Sequence, residues 1–294
     1  MNQTWPKISV FILTYNSKLF IKECIESVLI QEYPNLEIVI GDDGSTDGTP
    51  DILKEYNKNY PGLFKLVLSE TNTGITANCN RVLAQCNGEY IAFLAGDDLW
   101  CSGKLQKQIA WFNANPNKIL NFTLTEVFDD RSSQKMAIAP TFQKQQFLAA
   151  SPIIQAYILG QVESSFLLKR KYVPSYGFEA SIPNVSDLIF FVEIFQQGEI
   201  GYIDEVLTKY RKHSESTSKK EEKICVEHYL SYLILEKKYP ELNKDIVDIK
   251  RNIIFTLMTM NSESSKKLEN QIIDTFKIKE LFLILIKRII KKIK

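Results

Sequence analysis

An α/β fold with a mostly parallel central sheet flanked by helices, followed by a helical C-terminal region, is what these 294 residues predict. Three observations carry that expectation. In the first hundred residues, short β-branched apolar runs alternate with segments whose apolar residues recur at helical spacing, the pattern of a parallel sheet covered on both faces. Three of these stretches end in polar clusters, Thr14-Tyr15-Asn16, Asp42-Asp43 and Asp97-Asp98, and open α/β sheets bind ligands outside the carboxyl ends of their strands. From about Ser214 onward Lys, Glu and Leu dominate and strand patterning disappears.

The elements follow in order. Ile8–Thr14 is apolar and β-branched, a buried strand. Lys18–Gln31 places Ile21, Ile25, Val28 and Leu29 on one helical face. Leu36–Ile40 is a second strand, running into a sharp loop at Gly41–Ser45. Thr49 can cap the next helix, with Pro50 suited to its first turn and Asp51 to its dipole. Phe64–Leu68 is a third strand, Thr76–Cys86 a helix, Tyr90–Leu94 a fourth strand and Lys104–Phe112 a helix. Further on, Ile119–Phe128 and Ser164–Leu168 read as strands, Phe147–Leu159 and Ser186–Gln197 as helices, and Ile200–Ile203 as a strand.

Composition excludes several classes. Hydrophobic residues at 45% supply a sizeable core, which argues against disorder. A net charge of +1 provides no global field to select nucleic acid. The five cysteines, Cys24, Cys79, Cys86, Cys101 and Cys225, fit no zinc spacing and read as reduced cytosolic thiols. The N-terminus has no signal-peptide pattern, so export is not expected, and no apolar run is long enough to span a membrane.

Adjacent acids at a strand end repel unless a cation lies between them and a ligand. For Asp97-Asp98 a hard divalent ion, shared with diphosphate oxygens, satisfies that need and supplies a Lewis acid; alone, such a pair could equally be a solvated turn. Around Asp42-Asp43, a strand-end carboxylate can accept from a nucleobase N–H or a ribose hydroxyl, while Gly44 lets the backbone pass close to a ligand.

The segments SVFILTYNSKLFIKECIESVLIQEYPNLEIVIGDDGSTDGT and NTGITANCNRVLAQCNGEYIAFLAGDDLW resemble glycosyltransferase family 2, strongly over residues 7–115 and traceably to about residue 218. The resemblance implies an inverting nucleotide-sugar transferase with the GT-A, Rossmann-like fold. It implies that Thr14, Tyr15 and Asn16 line the nucleotide pocket, that Asp42 recognises the base, and that Asp43 and Asp97 belong to the donor site. It makes Asp98 the metal ligand in a DxD-type motif, with Mg²⁺ or Mn²⁺ as cofactor. Ala95 stands where many members carry a further acid. NVSDLIFFVEIFQQGEIGYIDEVLTKYRKHSESTS is similar to the family's later stretch and puts Asp187 at the catalytic base, with Ser186 where Glu is usual, and His213 at a position that approaches metal or diphosphate. Inversion requires such a base, and a helix N-terminus favours its ionised form; Asp187 could also merely assist a cap. Lys209, Arg211 and Lys212 either neutralise diphosphate or form a solvated patch.

The expected layout is a catalytic domain over 1–215, divided into a nucleotide-sugar half (1–115) and an acceptor half (116–215), then a helical region over 216–294. That region ends in KIKELFLILIKRIIKKIK. There Ile278, Phe282, Leu285, Ile286, Ile289 and Ile293 share one helical face and Lys287, Arg288, Lys291, Lys292 and Lys294 lie away from it. Such a helix suits peripheral contact with an anionic membrane, or it docks on protein. The expected partners are a nucleotide-diphosphate sugar and a glycan or lipid-linked acceptor, at the inner face of the cell membrane, in cell-surface polysaccharide synthesis. A sugar-nucleotide pyrophosphorylase would carry a Gly-rich loop where this chain has TYNSKL. A non-catalytic nucleotide-sugar-binding partner is the other alternative.

Overall fold

The apolar runs of the first hundred residues lie side by side. In the computed structural model, which describes residues 5–141, 144–160, 162–213 and 221–259, the strands β1 (Ile8–Thr14), β2 (Leu36–Asp42), β3 (Phe64–Leu68) and β4 (Tyr90–Ala95) are parallel, in the order β3-β2-β1-β4. Between and after them come α1 (Ile21–Leu29), α2 (Thr49–Asn59), α3 (Ile75–Leu83) and α4 (Lys104–Ala114).

Strand alternation decides which helix covers which face. Even-numbered residues Ile8, Val10, Ile12, Ile38, Ile40, Ala92 and Leu94 form one core with Ile21, Ile25 and Val28 of α1, Leu53 and Tyr56 of α2, and Leu105, Ile109 and Phe112 of α4. The odd-numbered Phe11 and Phe93 point to the other face. There Phe11 lies 6.4 Å from Phe178, and Phe93 stacks on Phe166 at 6.1 Å. Phe178 in turn stacks at 4.0 Å on Phe190 of α7 (Asp187–Phe195), and Phe166 meets Phe191 edge-on at 5.3 Å. This aromatic layer seats α7 on the sheet.

Beyond β4 the strand directions mix. β8 (Leu167–Lys169) is antiparallel to β4, and β6 (Leu120–Asp129) is antiparallel to β8. β9 (Ile200–Lys212) runs parallel to β6, with β5 (Leu99–Trp100) antiparallel on its far side and β7 (Lys135–Ala139) paired with β6. The mostly parallel sheet expected from the sequence is thus carried by β3-β2-β1-β4, with a further parallel pair in β6 and β9.

Several boundaries differ from expectation. β9 continues nine residues past Ile203 because β6 and β5 pair with it along its length. The segment read as a helix over Phe147–Leu159 is two helices, α5 (Lys144–Leu148) and α6 (Pro152–Leu159), broken before a proline that cannot donate to a continuing helix. Ser164 lies not in a strand but in a short 3-10 turn, Glu163–Ser165, ahead of β8. Thr49 is inside α2, whose N-cap is Gly48 at φ 97°; the Thr49 amide donates instead to Asp47 at 3.0 Å.

The chain divides into two compact units, Met1–Ser214 and Glu215–Lys294. In the second, α8 (Glu221–Lys238) packs on α9 (Asn243–Thr259), and Lys250 bridges to Glu236 at 2.5 Å. Among the described residues no helix is long and apolar enough to cross a membrane. The basic amphipathic segment expected over 277–294 lies outside the described residues.

At the amino-terminal edge of the sheet a buried acid ties the strands together. Glu37 accepts from Ser9 Oγ and the Asn87 amide, both at 2.5 Å, and pairs with Lys7 and Lys65. Burial alone would raise its pKa, but these hydrogen bonds outweigh burial and hold the carboxyl down at about 2. A depressed folded pKa stabilises fully above the unfolded value, near 4.5, and that stability is lost as pH falls towards about 2. The contribution is on the order of 3 kcal/mol. Glu37→Gln should therefore lower the unfolding free energy at neutral pH by roughly 2–3 kcal/mol. Urea titrations from about pH 7 down to about pH 2.5 should show a native slope below pH 4.5 that the variant lacks.

Candidate functional site

The carboxyl ends of β1 and β2 are laced together by their loops. Asn16 sits at φ 50°, a left-handed conformation that Asn tolerates better than most side chains. Its amide donates to Ser45 Oγ at 2.7 Å and its Oδ1 accepts the Thr46 amide at 3.0 Å. Asp42, buried at the end of β2, accepts the Ser45 amide at 2.9 Å and the Ser45 hydroxyl at 2.5 Å, so its carboxylate closes its own loop. Asp43, placed in the donor site by sequence, turns the other way. It accepts from the Thr73 amide and hydroxyl, from the Gly74 amide at 2.8 Å and from Arg81 at 2.7 Å. These bonds brace the start of α3. Tyr15, by contrast, is 49% exposed, leaving a ring face for a flat ligand. Thr14 Oγ1 is buried beside Gly96.

The two acids after β4 diverge. Asp98 is 2% exposed; Oδ2 accepts the Ser164 hydroxyl at 2.5 Å and Oδ1 the Arg211 amide at 3.1 Å. Burial, then the charge of Asp97, pushes its carboxyl well above the usual range. Asp97 is partly exposed, with Oδ2 at 3.0 Å from His213 Nε2, and the His213 ring packs 4.5 Å from Phe20. Each Asp98 oxygen thus has a donor inside the protein, whereas the Asp97 carboxylate is partly exposed. Arg211 likewise is no surface cation. Its guanidinium donates to the Asp97 carbonyl at 2.9 Å, Asp130 at 2.6 Å and Glu23 at 2.5 Å, and lies 5.0 Å over both Phe20 and Phe128. Lys209 faces Glu126 at 3.6 Å.

Asp187 is the first residue of α7, where the helix dipole favours negative charge. Ser186 does not share its role: its hydroxyl meets Thr76 Oγ1 at 2.8 Å. A Cβ at Gly160 would lie 3.0 Å from Asp187 Oδ2, so a larger residue there would press on that carboxylate by a few tenths of an ångström. Glu163, which sequence reasoning missed, hydrogen-bonds Asp187. Burial first, then the charge and hydrogen bond of Asp187, raise Glu163 well above the usual carboxyl range. Both acids line a cavity of about 50 Å³ walled by Phe11, Phe93, Phe166 and Phe178. The adjoining residue, Ser164, is the one that binds Asp98, so the acid pair and the Asp97 corner join through one short turn.

Among the described residues no group of three or more His, Cys, Asp or Glu forms a ready-made metal cage. Asp97 Oδ2 and His213 Nε2 nevertheless stand 3.0 Å apart. That is about the separation of adjacent ligands around an octahedral ion with bonds of roughly 2.1 Å. A carboxylate and an imidazole leave the other positions to water and phosphate oxygens, as hard divalent ions beside nucleotides require. The donor set fits a divalent cation that arrives with a diphosphate.

Residues 9–177 match the family described as Glycosyl transferase family 2. EpsE of Bacillus subtilis (strain 168), which carries a glycosyltransferase name, is 28% identical over 271 residues, covering 90% of this chain and 96% of EpsE. TuaG of the same organism, named for glycosyl transfer in teichuronic acid biosynthesis, is 29% identical over 238 residues, covering 79% of this chain and 89% of TuaG. Among solved structures, S. aureus TarS 1-349 in complex with UDP-GlcNAc superposes with a TM-score of 0.61 at 20% identity, over 78% of this chain and 66% of that one. The mannosyltransferase PcManGT from Pyrobaculum calidifontis, in complex with GDP-Man and Mn²⁺, gives 0.60 at 16% identity, over 94% and 82%. At such identities the structural likeness speaks for the fold.

Removing Arg211 would leave Asp130 and Glu23 without their partner and free the Asp97 carbonyl. Breaking a fully buried pair costs about 3–5 kcal/mol, but Glu23 is 62% exposed and water takes up part of its loss. Arg211→Met should therefore destabilise by about 2–4 kcal/mol in urea unfolding, whereas Lys209→Met, from an exposed pair, should stay within about 0.5 kcal/mol.

Proposed function

The chain belongs to glycosyl transferase family 2, and on that premise we propose that this glycosyltransferase inverts the anomeric centre of a nucleotide-diphosphate sugar while passing the sugar to a glycan or lipid-linked acceptor. The observation that carries the reading is the convergence of Asp97, His213 and Asp187 at one end of the sheet, linked through Ser164 and the turn before β8. The GT-A fold, shared with structures solved with UDP-GlcNAc and with GDP-Man and Mn²⁺, supports it.

Each residue then has a task. The exposed Tyr15 ring stacks on the flat part of the nucleotide, Thr14 underlies it at the end of β1, and Asn16 holds the loop that presents them. Asp42 keeps lone pairs beyond those used by Ser45 and accepts from the base. Asp97 and His213 would hold a divalent ion, Mg²⁺ or Mn²⁺, which would supply a Lewis acid that offsets charge on the leaving diphosphate. Asp187 takes the proton of the acceptor hydroxyl as its oxygen bonds to the anomeric carbon. The bond from that carbon to the diphosphate oxygen breaks on the opposite face, and its electron pair leaves with the nucleoside diphosphate. The name of TuaG, an 89%-covered relative, supports a setting in cell-surface polysaccharide synthesis. Work at the cytoplasmic face of the membrane, through the segment over 277–294, belongs to the same reading.

Two substitutions separate binding from chemistry. Thermal-shift measurements with UDP, GDP, dTDP and CMP, with and without Mn²⁺, identify the nucleotide. Asp97→Asn should lose the Mn²⁺-dependent part of that shift together with transfer. Persistence of both would remove Asp97 from the metal site.

Asp187→Asn should lower kcat about 10²–10⁴-fold with the donor Kd nearly unchanged. Equal loss of donor binding would make Asp187 a pocket residue instead.

A further inference from the structure

Outside the roles assigned above, Glu163 is a half-buried acid that the reaction as described does not use. Its place follows from topology. β8 runs antiparallel to β4, with Ala92 opposite Leu167, so the residues before β8 reach the carboxyl end of β4. The Ala95 amide accordingly donates to Ser164 Oγ at 3.1 Å, and the Trp100 indole to the Ser164 carbonyl at 2.7 Å. The turn is therefore fixed on both sides, and Glu163 projects from it to Asp187 at the mouth of the phenylalanine-walled cavity. Ser186, the chain neighbour of Asp187, is turned away to Thr76.

We propose that Glu163 is a positioning residue, whose carboxyl hydrogen-bonds Asp187 and holds it against Gly160 in the orientation from which Asp187 takes the acceptor proton. The proposal rests on Asp187 being the base. Two carboxyls can share a hydrogen bond only while one proton lies between them. Burial, then the charge of Asp187 and the hydrogen bond to it, and lastly the charge of Asp98, raise the Glu163 carboxyl well above the usual range, so that of the two acids Glu163 is the one that keeps the proton. The titratable groups facing it are Asp187 on α7, Cys79 on α3 and Asp98 on the loop after β4. In the reaction Glu163 keeps its proton and Asp187 receives the acceptor's on its other oxygen. When alkali removes the Glu163 proton, two like charges stand at hydrogen-bond distance and the orientation is lost. The fall in rate then follows the pair and not either acid alone.

The test compares the native chain with Glu163→Ala and Glu163→Gln, their melting curves confirming that each is folded. Loss of orientation should lower kcat of Glu163→Ala about 10- to 100-fold with the donor Kd unchanged. The amide of Glu163→Gln donates at every pH, so this variant should recover most of the lost rate and lack the alkaline limb of the kcat profile. An alkaline limb that persists in Glu163→Gln, or a Glu163→Gln as slow as Glu163→Ala, would overturn the proposal. Infrared spectra give a readout without turnover: below the alkaline limb of the native kcat profile, the difference spectrum of the native chain minus Glu163→Gln, in which Asp98 cancels, should show a protonated-carboxyl band. A native chain with that band and no sugar transfer sinks Asp187 as base, and with it the positioning role. Sugar transfer without the band sinks the role of Glu163 alone.

Discussion

The carboxyl of Asp98, taken out of water between the Ser164 hydroxyl and the Arg211 amide, fixes three remote pieces of chain at one point. It belongs to the loop after β4, Ser164 to the turn before β8, and Arg211 to the end of β9. A buried carboxyl is costly unless its lone pairs are used, and here each oxygen has a donor. Because those donors lie 66 and 113 residues away in sequence, the bond is available only to the assembled sheet. From these three pieces project Asp97, Glu163 and His213, in that order.

Around that point the protein spends charge on rigidity. Arg211 is buried under two aromatic rings and reaches Glu23 on α1, Asp130 after β6 and the Asp97 carbonyl. Asp43 likewise holds the start of α3 through Arg81 and two amides. These bonds leave Asp97 and His213 on a frame braced by ion pairs and hydrogen bonds. The aromatic layer Phe11–Phe178–Phe190 does the same for Asp187 by seating α7, and it keeps water from the inner side of the acid pair.

Much of this was readable from local pattern. β1 to β4 and the helices between them follow from apolar periodicity, because a strand buried on both faces admits only apolar side chains along its length. The clusters at Thr14, Asp42 and Asp97 stand out as polar residues at strand ends, where an α/β sheet places its ligands. Asp187 was legible at a helix start. Less legible was the division of labour within each cluster. Asp97 and Asp98 are chemically identical neighbours, and only the approach of Ser164 and β9 buries one and leaves the other within reach. Glu163 had no local signal at all: it is an isolated acid in a stretch without clear periodicity.

By itself the sequence determined the alternation of strands and helices and the edge at which polar residues gather, since these depend on residues within a few positions of one another. Tertiary structure alone decided the antiparallel entry of β8, the full length of β9, the burial of Asp98 and Arg211, and the meeting of Glu163 with Asp187. Each depends on contacts between segments far apart along the chain. The identity of a side chain specifies what it can bond to, and only the packed fold specifies which partner it meets and whether water is present there.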